Sequence, residues 1–416
     1  MLNKYCVLFG VSFISNFIIA AELFSIPLES CSYYGLFFFT FLYLLICQFR
    51  INPNLNRLRR VILILFFTPI LWSIFGVLVN SFLIDNIHYS FQVLMTGLPR
   101  LINYLLILIL FLSFSEMDEK NSIRNIKWFY FALLVFLFFG LWQFFHFYFD
   151  IPIISFETRD MAHSVVGVGP THRITSIARE PSFFSPLLVE LFVLSLFFKE
   201  LGWNKFLLNV VIGVTLFVSV FTLSPSTYME FFFLFLIMIF RNKIKFSTII
   251  VLGISSIIII SFFQYLNEFI LYRLINVEDS TRFLLIETII DTMSNMDIFT
   301  LLFGIGPKGL SYISEITTID GTGEKVHSST NNIFADLFVD NGLFGVLFLI
   351  ILFVYLYRKA FSIKYSNLPA LFFIHLFLCC QYRGNYSSVR FIILVAILIF
   401  LISFYKKKEQ KYSYEG

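Results

Sequence analysis

Apolar runs of about 17 to 22 residues recur along the whole of this 416-residue chain, and no other feature constrains its fold as strongly. Wound as an α-helix at ~1.5 Å per residue, one such run crosses the ~30 Å hydrocarbon core of a bilayer. The runs lie near 5–21, 31–49, 61–79, 94–115, 128–148 and 183–198, then near 206–223, 228–240, 246–263, 338–357, 367–382 and 389–405. The pattern predicts an all-α, polytopic integral membrane protein of about twelve transmembrane helices, with residues 1–416 forming a single membrane domain. Two runs strain that count: 228–240 is short, and 94–115 is interrupted by Pro99 and Arg100. Only 13% of residues are charged against 58% hydrophobic, which leaves too little polar surface to cover a soluble domain. The first run follows Lys4 with no small-residue cleavage site, so it reads as a span and not as a cleaved leader. The five cysteines, Cys6, Cys31, Cys47, Cys379 and Cys380, have neither disulfide-framework nor metal-ligand spacing.

Orientation follows from the connections that carry Lys and Arg, because basic residues favour the cytoplasmic side. Alternate connections, from Lys4 through Arg57, Arg59 and Arg60 to Lys406, Lys407, Lys408 and Lys411, hold 20 of the 30 basic residues. Both termini are therefore expected inside. The remaining ten are Arg100, Arg159, Arg173, Arg179, Arg273, Arg282, Lys308, Lys325, Arg383 and Arg390, and eight of these are Arg. A guanidinium fits phosphate oxygens through a planar fork of donors, whereas Lys supplies a solvated point charge. Arginines placed against the usual bias thus point to bound anions outside. The competing reading is pairing with outer acids such as Glu157, Asp160, Glu278 and Asp279.

Two outer connections are long, 150–181 and 264–337, and long loops in compact proteins usually carry function. In the first, THRITSIAREPSFFSP sets His172, Arg173, Arg179 and Glu180 ahead of an apolar helix. Pro181 suits the first helical position, and Glu180 either caps that helix or serves as a base at the water interface. In the second, Ser280 or Thr281 can cap a helix from Arg282 that puts Phe283, Ile286, Ile290 and Met293 on one face and Glu287, Asp291, Ser294 and Asn295 on the other. That amphipathic helix is expected along the membrane surface. Gly304, Gly306 and Gly309 follow in LLFGIGPKGL, read as a plain turn ahead of the alternative, backbone N–H groups exposed to an anion.

The stretch VHSSTNNIFADLFVDNGLFG carries polar residues four apart: His327 with Asn331, and Ser328 with Asn332, Asp336 and Asp340. Amides and carboxylates in an apolar helix need a wet cavity or protein partners. His327 has a side chain suited to proton transfer near neutrality; the competing reading is a structural histidine. Near the end, QYRGNYSSVRF places Arg383, Arg390, Tyr382 and Tyr386 at the outer boundary, either as snorkelling anchors or, for Arg383, as part of a site.

Taken in order, R-x5-REPS (Arg173 to Ser182), STRF (Ser280 to Phe283), FGIGP (Phe303 to Pro307), HSSTNNIFADLFVDNGLFG (His327 to Gly345) and RGNY (Arg383 to Tyr386) resemble the motifs of Wzy-type O-antigen and capsule repeat-unit polymerases. These belong to a superfamily with the O-antigen ligases. The resemblance implies a GT-C-like glycosyltransferase in the bacterial inner membrane, with two large periplasmic loops and its active site facing the periplasm. It implies lipid-linked sugars as substrates: a growing polymer on undecaprenyl diphosphate as donor and one lipid-linked repeat unit as acceptor. A polysaccharide chain-length regulator is an implied partner, alongside membrane lipid, and nucleic acid is not. On this resemblance Arg173, Arg179, Arg282 and Arg383 would hold the diphosphate, His327 or Glu180 would act as base, and His172, Asn331, Asn332 and Tyr386 would contact sugar or line the cavity. No metal or other cofactor is expected, because the arginines would occupy the diphosphate's anionic face. A ligase transferring polymer to a lipid A core sugar, and a lipid-linked oligosaccharide flippase, are the alternatives. The flippase should show related halves and charges along a midplane path, whereas here the charges concentrate in the outer loops.

Overall fold

The computed structural model describes residues 22–23, 26–27, 57–83, 119–153, 173–178, 181–242, 281–307, 309–310, 330, 332–382 and 389–415. Among them are ten helices: α1 (Arg57–Leu83), α2 (Glu119–Phe149), α3 (Pro181–Glu200), α4 (Lys205–Phe221), α5 (Pro225–Asn242), α6 (Thr281–Ser294), α7 (Ile298–Phe303), α8 (Ile333–Phe361), α9 (Leu368–Tyr382) and α10 (Val389–Glu415). A two-residue antiparallel pairing joins β1 (Glu22–Leu23) to β2 (Ile26–Pro27). By length and composition α2, α3 and α8 can each cross a membrane, and α4 and α9 are shorter apolar helices. The fold is thus helical and compatible with a membrane protein. The predicted spans 5–21, 31–49, 94–115 and 246–263 lie outside the described residues.

Local sequence sets the helix ends. Pro181 and Pro225 open α3 and α5, where a missing N–H costs nothing. Asn204, Asp297 and Asn332 cap α4, α7 and α8, each side chain accepting from two backbone N–H groups of the first turn. The helices outrun the apolar segments that predicted them: α2 begins at Glu119 in place of 128, and α10 runs on through KKKEQKYSYE. Hydropathy reports the thickness of an apolar slab, whereas a helix continues for as long as its own hydrogen bonds do.

The share of the apolar window that is buried distinguishes centre from rim: 83% for α3, against 44% for α2 and 50% for α8. α3 packs against α2, α4, α5 and α9, and α9 in turn joins α3 and α5 to α8 and α10. Exposed Phe206, Phe217, Phe232, Phe240, Leu343, Leu347 and Ile350 ring this core, as expected where apolar side chains face lipid. Pairing distinguishes the two ends of the bundle. At one, the basic end, Arg241 donates to the carbonyls of Phe361 and Ile363, and Glu200 accepts from Ser366 and Tyr405. At the other, the loop end, residues 173–178 meet the α4–α5 turn.

A satellite core of Val77, Ile289, Met293, Ile305, Leu310, Ala335 and Val339 lies beside α8. The expected apolar face of α6 is rotated: Ile289 and Met293 are buried, whereas Ile290 is 53% exposed alongside Glu287 and Asp291. Residues 286, 289 and 293 share a stripe at helical spacing, and 290 lies one step around from it. The glycine stretch after α7 crosses α8 at a break. Gly342, at φ 63 and ψ −160, interrupts that helix. Ile305 and Gly306 donate backbone N–H groups to the carbonyls of Val339 and Asp340, at 2.8 and 3.1 Å. Gly304 donates to Thr300, and Gly309 to the Gly306 carbonyl and Asp340 Oδ1. These donors are used within the protein, so the stretch is a turn and not an anion cradle.

Candidate functional site: a buried ionic cluster beneath the loop end

The segment Arg173–Ala178 is locked into the bundle despite belonging to the first long connection. Gln143 of α2 accepts the N–H groups of Thr175 and Ser176 on its Oε1, at 2.8 and 2.7 Å, and its Nε2 donates to Thr175 Oγ1 at 3.1 Å. Ser176 Oγ donates to the Phe136 carbonyl at 2.7 Å, and Ile174 N to that of Phe221 at 3.1 Å. Arg173 is buried; its Nε and Nη2 donate to the carbonyls of Thr222 and Leu223 at 3.3 and 3.1 Å. Those carbonyls belong to the α4–α5 turn, so the guanidinium ties the loop to two helices at once and brings its charge there in a fixed position.

Beneath that turn, four ionisable side chains from four helices meet. Glu190 comes from α3, Glu230 from α5, His375 from α9 and Arg390 from α10, and all are buried. Arg390 pairs with Glu190 Oε1 through Nε at 3.1 Å and through Nη2. His375 Nδ1 lies 2.7 Å from Glu230 Oε2, and Nε2 lies 3.3 Å from Glu190 Oε1. The order is therefore Glu230, His375, Glu190, Arg390: a histidine between two carboxylates, one of which is closed off by a guanidinium. Glu230 is five residues into α5 and His375 seven from the end of α9, so at 1.5 Å per residue the two lie roughly 7–11 Å below the loop end.

A third polar region lies at the start of α8. Thr330 donates through its backbone N–H and its hydroxyl to Asp336 Oδ1, at 2.9 and 2.8 Å. Asn332 Oδ1 caps the helix by accepting from Phe334 and Ala335 at 2.9 and 3.2 Å. Asn332 has extended dihedrals, so the polar stripe expected from Ser328 through Asp340 breaks there, and only Asp336 and Asp340 share the helix. Asn341 Nδ2 donates to the Pro69 carbonyl and Ser73 Oγ of α1.

Of the residues that the sequence marks for a site, Arg173 is the buried anchor just described, Asn332 is the α8 cap, and Arg282 is the second residue of α6. Glu180, Arg179, His172, His327, Asn331, Arg383 and Tyr386 lie outside the described residues. Arg390, expected as a boundary anchor, instead turns inward to Glu190, since a buried carboxylate left without a counter-charge is strongly destabilising. Glu190, Glu230 and His375 went unmarked because each sits inside a run read as a span. The signal was present all the same: LLVELFVL, YMEFFFL and FFIHLFL each carry one ionisable residue among apolar neighbours. Beside the charges concentrated in the outer loops, the bundle therefore holds a charged cluster of its own.

Chemically the cluster can hold and pass a proton, since imidazole both donates and accepts. Among the described residues, no group of three His, Cys, Asp or Glu is placed to hold a metal ion. No protein-family model matches the chain, and no curated protein matches it either.

Proposed function

We propose that this chain is a membrane-embedded glycosyltransferase that polymerises undecaprenyl-diphosphate-linked oligosaccharide repeat units into O-antigen or a related surface polysaccharide on the periplasmic face of the bacterial inner membrane. The observation that carries the reading is the ordered motif set from Arg173 to Tyr386, two members of which, FGIGP and HSSTNNIFADLFVDNGLFG, are joined by backbone hydrogen bonds from Ile305 and Gly306 to Val339 and Asp340 beside the break in α8. In this reading a hydroxyl on the acceptor's non-reducing sugar gives its proton to His327, or to Glu180, and attacks the anomeric carbon of the donor. The new C–O bond forms as the bond to phosphate breaks, and undecaprenyl diphosphate leaves with the electron pair. Arg179, Arg282 and Arg383 meet its charge directly, and Arg173 contributes from its fixed place at the α4–α5 turn. The termini are cytoplasmic, and a chain-length regulator is the protein partner. Sugar contacts fall to His172, Asn331, Asn332 and Tyr386.

The test begins with a clean deletion. Accumulated lipid-linked single repeats support the polymerase, and accumulated long lipid-linked polymer indicates the ligase. Within the complemented strain, Arg179→Lys keeps the charge and loses the fork, and polymer should disappear at normal protein levels. A wild-type ladder of chain lengths from that variant refutes the diphosphate clamp. One observation favours the flippase as a second reading, the ionic cluster inside the bundle; single repeats trapped on the cytoplasmic face of the deletion strain would establish it.

A further inference from the structure

The Glu190–Arg390 pair is neutral. Glu230 adds a negative charge, and among the described residues His375 is the cation that pairs with it. Both ring nitrogens of His375 face carboxylate oxygens, but a neutral imidazole has one donor and one acceptor, and its acceptor nitrogen cannot bond to an ionised carboxylate. The geometry is satisfied in two ways. An imidazolium can donate to both carboxylates, or a neutral ring can keep its Nε2 proton on Glu190 while accepting one from a protonated Glu230. The two forms hold the same number of protons, and in both the charges of the four side chains sum to zero, which burial in an apolar bundle demands.

We infer that Glu230 and His375 form a proton-binding site inside the bundle, with Glu190 and Arg390 as its fixed counter-charges. Its ligand is a single proton, which moves between His375 Nδ1 and Glu230 Oε2 without changing the net charge. Among the described residues, few other groups face it. Cys379 and Cys380, both buried on α9, interact electrostatically with Arg390 or Glu230. From α8, Phe334 and Phe353 pack on Phe377, whereas Asp336 and Asp340 are engaged with Thr330 and Gly309. Three buried polar atoms of the cluster, Glu190 Oε2, Glu230 Oε1 and Arg390 Nη1, have no hydrogen-bond partner among the described residues. Two acceptors and one donor at this depth are the contacts through which water or a hydroxyl would deliver or remove the proton. A cluster serving only to staple helices would have no use for them, and a buried ion pair is itself poor stabilisation compared with apolar packing.

The test reads the proton directly and is independent of the glycosyl-transfer reading. Full-length protein in nanodiscs is examined by infrared spectroscopy for protonated carboxyl and by nitrogen NMR with labelled histidine. Glu230→Gln makes the cluster neutral with no extra proton, and the amide can donate to His375 Nδ1; whichever form the wild type takes, the His375 signal among the six histidines should then be that of a neutral ring. His375→Gln should leave the proton on Glu230, giving a protonated-carboxyl band absent from the Glu230→Gln/His375→Gln double variant. Failure of either change overturns the proposal. Wild-type protein supplies a check that needs no substitution: the imidazolium and protonated-carboxyl signals of the site should together lose one proton in a single pH step, and loss of two protons or two separate steps overturns the shared site.

Discussion

Gly342→Ala is the sharpest test of the architecture, because two backbones meet at that position and neither can yield. A Cβ built there lies 2.4 Å from the carbonyl carbon and oxygen of Leu302 and 2.6 Å from Gly304 N. Its φ of 63 with ψ −160 belongs to a region open essentially to glycine, costing a side chain ~1–3 kcal/mol. Overpacking adds ~1–3 kcal/mol. The two effects sum to about 2–6 kcal/mol, a large part of the ~5–15 kcal/mol typical of a folded domain. Gly304→Ala meets the same obstacle from the other side, with Asn341 N at 2.4 Å and φ 81, so the double variant should cost less than the two singles combined. Gly213→Ala is the control: it lies in α4 with nothing within 4 Å, and should stabilise by ~0.5–1 kcal/mol. Reversible unfolding in mixed detergent micelles measures all four. A Gly342→Ala protein within ~0.5 kcal/mol of wild type refutes the crossing of FGIGP and α8.

Two further outcomes follow from the loops. Burial pushes the Asp297 carboxyl up, but bonds from the Thr300 hydroxyl and from the N–H groups of Thr300 and Phe299 outweigh it and hold the group below its ordinary value. A lowered carboxylate stabilises above its ordinary value, and that stability is lost as pH falls through the folded value. Asp297→Ala should cost ~1 kcal/mol at neutral pH, and Asp297→Asn should flatten the acid limb of the unfolding curve. Gln143→Ala removes the bonds that hold Thr175 and Ser176, and at ~1 kcal/mol each it should expose the 150–181 connection to protease while the bundle stays folded. Unchanged digestion would show that the loop is held by other means.

What could be read from the chain differed by kind of feature. Apolar length located α1, α3, α4, α5, α8 and α9 closely, because the hydrophobic period and the helix coincide there. It misjudged the polar ends of α2 and α10, where backbone bonding carries the helix past the apolar residues. The break at Gly342 was illegible: a glycine in DNGLFG looks like any helical glycine until Leu302 and Gly304 arrive from 40 residues away. The ionic cluster was illegible for a similar reason. Glu190, Glu230 and His375 can each be seen as an anomaly in an apolar run, but their meeting is a property of α3, α5 and α9 packing together. Arg173 stands out in the sequence as a diphosphate candidate, but its bonds to Thr222 and Leu223 depend on a turn some fifty residues on.

The same cluster imposes an order on biogenesis. Glu190 is separated from His375 by 185 residues and from Arg390 by 200, and Glu230 from His375 by 145. At ~5–20 residues per second, roughly 10–40 s of synthesis pass between the appearance of Glu190 and that of its guanidinium. During that interval α3 and α5 carry carboxyl groups without their partners, and in a bilayer each costs ~2.5–3.5 kcal/mol when charged at a helix centre. The nascent half must therefore protonate them, keep them near water, or lend them to an insertion chaperone, and α9 and α10 release it. A chain that stops before α9 carries that unpaired pair permanently, which gives the membrane's quality-control proteases a chemical mark of incompleteness.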